Sequence, residues 1–213
     1  MRRLGFTVLQ LIIVLAIIII LAAILFPIFS RPRTVGRSQC QSNLKQIALG
    51  IKQYIQDSDR KYPIVNMNDS AIDENNPLGW ADALDPYTKS KKIFWCPKQI
   101  EDKVRDTNEK KVSDRDFTDY FYNRRLAGVS EEKMEDTATI ILLGEGNDGT
   151  DAANARYSLN AFPAAWMKDE KSPIRRHFDG ANFAYVDGHV KWMKPAAISD
   201  TTAKGSTPSF SIN

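Results

Sequence analysis

Few residues in this chain of 213 are of types that could do chemistry. There are two cysteines, two histidines and one acidic, glycine-rich stretch. Cys40 and Cys96 form an even pair, which in an oxidising compartment reads as a disulfide. The bridge would close a loop of about 57 residues, worth roughly 4 kcal/mol by loop entropy before any strain. The other reading is two buried free thiols. His177 and His189 lie near Asp187-Gly188, with Asp179 close by in sequence. Imidazoles and carboxylates together could hold a metal ion. The preferred reading is plainer: Asp-Gly makes a turn, and His177 serves a backbone or aspartate partner. The run Glu145-Gly146-Asn147-Asp148-Gly149-Thr150-Asp151 puts hard oxygen donors on a loop, which suits Ca²⁺. It lacks the closing Glu of an EF-hand, and an ordinary surface turn explains the same residues. The candidate metal ligands are therefore Glu145, Asn147, Asp148, Asp151, His177 and Asp187, and no other cofactor is expected. There is no G-x-S-x-G, no phosphate-binding glycine loop and no Cys/His arrangement, so the chain is not read as an enzyme.

These residues need elements to position them. Cys40, Leu44, Ile47, Ala48, Ile51, Tyr54 and Ile55 recur at helical spacing, with Lys45, Gln46, Lys52, Gln53 and Gln56 on other faces. Asp57-Ser58-Asp59 and Tyr62-Pro63 should end that helix. Residues 79–89 read as a short helix with a turn at Asp85-Pro86, and residues 92–96 as a short aromatic strand. Residues 101–116 read as an exposed charged segment. Strands are expected over 119–123 and 137–143, and a helix cap at Ser130. Asp187-Gly188 between residues 182–186 and 189–193 is a hairpin signal. The tail, 199–213, is rich in Ser, Thr and Gly and reads as a loosely held extension.

The chain opens MRRLGFTVLQLIIVLAIIIILAAILFPIFS. From Phe6 to Phe29 the residues are apolar with Gln10 the one strongly polar member, long enough for a membrane helix of about 20 residues. A secretory signal would be shorter and followed by a small-x-small cleavage site, which Pro27, Ile28, Phe29 and Arg31 do not supply. Pro27 should bend or loosen the helix, and Arg31-Pro32-Arg33 and Gly36 are further weak points. Helical throughout, residues 6–56 would reach roughly 75 Å. Counting Lys and Arg on either side slightly favours the wrong orientation for an exported head.

Arg2-Arg3-Leu4-Gly5 before Phe6-Thr7 and an apolar span resembles the leader of type IV prepilins and type II secretion pseudopilins. The resemblance implies that a prepilin peptidase cuts between Gly5 and Phe6, and that Phe6 is then N-methylated. Cys40-Gln41-Ser42-Asn43-Leu44-Lys45-Gln46-Ile47 is similar to the C-x-x-N-L-K-Q-I signature of one pseudopilin-like family. That family carries a C-terminal His, nine residues, then Asp-Gly; here these are His177 and Asp187-Gly188. The likeness runs from residue 1 to about residue 194. It departs at Gln10, where the family has a glutamate that can pair with a neighbour's N-terminal amine inside a filament.

The formal charge is +3, and Arg2 and Arg3 fall in the implied leader. A nearly neutral mature chain argues against a dedicated nucleic-acid surface. The expected fold is α+β and pilin-like: a long N-terminal helix, transmembrane then amphipathic, packed on an antiparallel sheet. The expected divisions are a leader (1–5), a membrane and filament-core half-helix (6–29), an amphipathic half-helix (30–57), a β-rich head (58–198) and the tail (199–213). The resemblance implies a subunit of a helical homo-oligomeric filament. Its implied partners are the prepilin peptidase, an inner-membrane assembly platform and, before assembly, the membrane, with Gln10 and Pro27 shaping assembly. Implied locations are the bacterial inner membrane, then a periplasmic or surface filament. The alternative is a minor, tip or membrane-tethered adaptor whose head binds a substrate or surface.

Overall fold

The computed structural model describes residues 7–29, 35–65, 79–97, 118–146, 155–199 and 207–212. The chain divides near Val35 into two compact units, taken here in turn.

The first unit holds helix α1, Val8–Phe29. Its start is a capping box. Thr7 N–H donates to Gln10 Oε1 (3.0 Å), and Gln10 N–H donates to Thr7 Oγ1 (3.3 Å). Thr-x-x-Gln thus satisfies two donors that a helix N-terminus leaves open. The backbone stays helical through Pro27 to Phe29. No side chain described along α1 is buried. Among the described residues no helix is long and apolar enough to cross a membrane; the side chains described along α1 end at residue 23.

The second unit begins with α2, Val35–Asp57. The helical stripe read from the sequence is its buried face: Cys40, Leu44, Ile47, Ala48, Ile51 and Ile55 are all essentially inaccessible. Asp59 and Arg60 then take positive φ, and Arg60 N–H returns to the Ile55 carbonyl (3.0 Å), closing the helix with a left-handed cap. α2 lies on one face of a five-stranded sheet ordered β3-β1-β2-β4-β5. The strands are β1 (Tyr120–Asn123), β2 (Ile141–Glu145), β3 (Ser158–Leu159), β4 (Ala181–Tyr185) and β5 (Val190–Met193). β1–β2, β2–β4 and β4–β5 are antiparallel, but β1–β3 is parallel. The sheet is therefore mixed, not antiparallel throughout.

Both faces of the sheet are covered. Tyr120, Tyr122 and Ala184 point to the α2 side. Phe121, Ile141, Ala181, Phe183 and Tyr185 point to the other, under Phe162, Ile174, Phe210 and Trp166 of the short helix α3, Ala164–Lys168. β2 changes parity partway. Ile141 belongs to the far face, whereas Leu142 and Leu143 both join the α2 side. The register with β4 slips between Ile141 and Leu143, as at a β-bulge. Beyond the slip, Gly144 faces Phe121 and Phe183 so closely that a Cβ would lie within 2.6 Å of both rings. Glu145, next in line, turns to the α2 side.

Three further expectations are corrected. Residues 92–96 are not a strand: Lys91–Phe94 forms a 3₁₀ turn, started by Ser90 Oγ accepting Lys92 N–H. Ser130 precedes a 3₁₀ turn, Glu131–Lys133, without capping it through its side chain. The end of the tail is not loose. Ser209 exchanges backbone hydrogen bonds with Ile141 N–H and the Thr139 carbonyl (both 2.9 Å), and Phe210 is fully buried. The charged segment 101–116 lies outside the described residues, as do Gly5 and Phe6.

Candidate functional site

The sheet, α2 and two connecting segments bring four chemically able side chains to one point. Cys40 comes from the buried stripe of α2. Cys96 follows the 3₁₀ turn Lys91–Phe94. Glu145 ends β2, and His177 precedes β4. Their sulfurs, a carboxylate oxygen and an imidazole nitrogen all lie within 4.8 Å of one another. Cys40, Cys96 and Glu145 are fully buried and His177 is 3% exposed. The cysteines are brought together as a bridge would require, but both are free thiols in the structure.

Each member is held by its backbone and neighbours. Cys96 N–H donates to Asp119 Oδ2 (2.8 Å). Glu145 accepts twice from Asn182, from the backbone N–H at Oε2 (3.0 Å) and from Nδ2 at Oε1 (2.9 Å). His177 N–H donates to the Gly180 carbonyl (2.8 Å), and the His177 carbonyl accepts from Trp192 Nε1 (2.7 Å). Phe178 and Asp179 take positive φ to make that turn. Gly180 allows it, since a Cβ there would lie 2.6 Å from the Met193 carbonyl oxygen.

Charge is concentrated at this point. Cys96 is pulled down to about 4 by its hydrogen bond with Cys40, against burial, with help from His177 and the Arg176 guanidinium. Cys40 is pushed far up by the same hydrogen bond and by burial. Burial works against the charged imidazole of His177, but hydrogen bonds to Cys96 and Glu145 lift it to about 9. These contacts favour a proton on Cys40 and on His177 and disfavour one on Cys96, inside a buried site. This is not the relay of a nucleophilic cysteine. Cys96 Sγ (3.6 Å) and Glu145 Oε1 (3.0 Å) both approach the same ring nitrogen, Nε2 of His177. A relay needs nucleophile and orienter on opposite nitrogens, and access for a substrate.

The other candidate ligands fall elsewhere. Asp187 stays at the β4–β5 turn: its Oδ1 accepts His189 N–H (2.9 Å) and lies 2.7 Å from His189 Nδ1. Partial burial opposes ionisation of Asp187, yet its contacts with His189 hold it below the usual carboxylate range. His189 stacks on Tyr185 at 4.2 Å, outside the cluster. α2 grips this turn, with Lys52 Nζ on the Asp187 carbonyl (2.7 Å) and Lys45 Nζ on the Gly188 carbonyl (2.5 Å). Asn147, Asp148 and Asp151 lie outside the described residues. Glu145 points inward to Asn182 and His177, so it is not a surface-loop ligand for Ca²⁺. In the sequence the cysteines suggest a bridge, His177 belongs with the Asp187-Gly188 turn, and Glu145 belongs with the acidic loop, three separate signals. The available signal was that the chain's whole complement of sulfur ligands and the histidine of its C-terminal motif could be pooled.

Among known families, the one described as "Protein of unknown function (DUF1559)" matches residues 36–94. The match covers α2 and the segment up to the 3₁₀ turn before Cys96, well under half the chain. No curated protein and no solved structure matches.

Proposed function

We propose that this protein is a filament subunit of the type IV pilin or type II secretion pseudopilin class, anchored in a membrane by α1 before assembly. The observation that carries the reading is the contrast between the two helices. α2 buries every member of its apolar stripe but Tyr54, which is half-buried. On α1, every large apolar side chain from Val8 to Leu21 is at least 44% exposed, on all sides of the helix. Such a helix leaves apolar surface in water unless lipid or neighbouring helices cover it. In a filament the same surface would pack on the α1 helices of neighbours, and contacts that do not close into a ring would propagate a fibre.

The leader-like start Arg2-Arg3-Leu4-Gly5-Phe6 supports processing between Gly5 and Phe6 by a prepilin peptidase, with N-methylation of Phe6. The proposed division is a leader, a membrane and filament-core helix, and a head outside the cytoplasm. The assembly platform of the inner membrane would be the partner in extraction. Mass spectrometry of protein isolated from its native cells tests this: the expected chain starts at N-methylated Phe6, and an intact Met1 would sink the reading. Electron microscopy of shed filaments, with the subunit identified in them, tests assembly.

A second reading, a minor or tip adaptor whose head binds a substrate or surface, is favoured by Gln10. An amide cannot supply the buried charge that pairs with a neighbour's terminal amine. The capping box gives that amide another task, since Gln10 closes the start of α1 without charge. Gln10→Glu keeps a capping-box residue and adds the carboxylate. Filament yield per cell is expected to rise if the missing charge limits assembly; unchanged yield would show that the amide suffices.

A further inference from the structure

We propose that Cys40, Cys96, Glu145 and His177 form a closed, four-ligand site for a divalent transition ion, Zn²⁺ in the first instance, that ties α2 to the head. The proposal stands apart from the filament reading: it needs only the fold of residues 36–213.

Geometry carries it. Four donor atoms from four separated stretches of chain converge within 4.8 Å, all of them buried. Without an ion, Cys96 Sγ and Glu145 Oε1 compete for one N–H at His177 Nε2. An ion at the centre would instead let Nε2, Oε1 and both sulfurs each donate a lone pair to it. Bonds of about 2.3 Å to sulfur and about 2.0 Å to nitrogen and oxygen give tetrahedral edges of about 3.5 Å for S···N and about 3.3 Å for N···O. The observed separations are 3.6 Å and 3.0 Å. The other four pairs lie within 4.8 Å, against edges of about 3.5–3.8 Å, so the side chains would close in by at most about 1.3 Å.

Donor chemistry selects the ion. Two sulfurs, an imidazole and one carboxylate oxygen suit Zn²⁺ and exclude Ca²⁺ and Mg²⁺, which need more oxygens. Binding releases the proton of Cys40 Sγ–H and that of His177 Nε2–H. Two thiolates and a carboxylate then leave one negative charge around the ion, offset by the Arg176 guanidinium beside Cys96 and Glu145. The supporting contacts are those of a built site: Asn182 orients Glu145 through two hydrogen bonds, and Asp119 fixes Cys96 by its backbone. All four positions are protein ligands and all are buried, so the ion's role would be structural.

The test uses the full chain in detergent micelles, purified under a non-thiol reductant without chelator. Elemental analysis is expected to find about one Zn²⁺ per chain, removed by chelation. Cobalt substitution is expected to give the visible bands of a tetrahedral site and a near-ultraviolet sulfur-to-cobalt charge-transfer band. Cys96→Ser should abolish the charge-transfer contribution of that sulfur, whereas His189→Ala should leave the spectrum unchanged. Asn182→Ala should weaken Co²⁺ binding about 10–100-fold. If Cys96→Ser does not fold, the wild-type cobalt spectrum and stoichiometry decide alone. The proposal is overturned by a chain that holds neither Zn²⁺ nor Co²⁺, by a cobalt spectrum without thiolate character, or by a Cys40–Cys96 disulfide in native protein isolated without reductant.

Discussion

His177→Ala is expected to cost the head about 3–5 kcal/mol, the loss typical of removing one partner from a buried charged pair. The wild-type imidazole lies 3.0 Å from Glu145 Oε1 and 3.6 Å from Cys96 Sγ, in a site closed to water. Alanine leaves Glu145 and Cys96 buried without the imidazole they share, with Asn182 and Arg176 as partial compensation. Any charge that either group carries is then buried without its counter-charge. A domain is stable by only about 5–15 kcal/mol, so a fall of this size should be plain in denaturant titration followed by tryptophan fluorescence. Trp192 donates to the His177 carbonyl and Trp95 adjoins Cys96, so two fluorophores sit beside the change. His189→Ala is the matched control. Its imidazole pairs with Asp187 at 2.7 Å but is 41% exposed, so its loss should cost no more than about 1 kcal/mol. Equal effects from the two histidines would mean that the buried cluster carries no special energy.

What the sequence made legible follows from how local each signal is. The stripe from Cys40 to Ile55 repeats at helical spacing and needed no partner to be read; every member but Tyr54 is inaccessible. Asp187-Gly188 announced a reversal, and the strands β4 and β5 flank it, with Gly188 at φ 91°. The T-x-x-Q box at Thr7 is equally local, although Gln10 also stands where the resembling family has glutamate. Glu145 shows where local signals stop. A strand read as 137–143 leaves Glu145 outside in an acidic loop. The bulge between Ile141 and Leu143 both shifts the strand and inverts its faces, so the first residue of the apparent calcium loop becomes a core residue. Nothing in the residues 141–143, all branched and apolar, marks where that inversion falls. The parallel β1–β3 pair was illegible for a related reason: β3 is two residues long and is defined by its partner. Cys40 and Cys96 meet as free thiols, in company that the sequence does not show, because Glu145 and His177 arrive through long-range packing.

Phe210→Ala is expected to cost about 3–5 kcal/mol, as deletion of a core phenylalanine does. Composition hides this residue, since Ser, Thr and Gly surround it and none of them asks for a core. In the structure Phe210 is fully buried, stacked on Phe121 at 5.6 Å and edge-on to Phe162 at 5.0 Å. Phe121 sits on β1, beside β2, so the ring closes the far face of the sheet over the same strand that ends in Glu145. Backbone bonds seat it: Ser209 bridges Thr139 and Ile141, and Asn123 Nδ2 donates to the Phe210 carbonyl (3.1 Å). Ending the chain at residue 206 removes these bonds along with the ring, and should therefore exceed the point substitution. A comparison with Phe178→Ala isolates burial from aromatic loss, because Phe178 is 52% exposed and should cost no more than about 0.5 kcal/mol. Denaturant midpoints for the three chains test the order. A truncated chain as stable as the full one would mean that the last residues only rest against the sheet. The expected order places the second cover of the sheet in the final seven residues, and makes the position of β2, and so of Glu145, depend on both ends of the head.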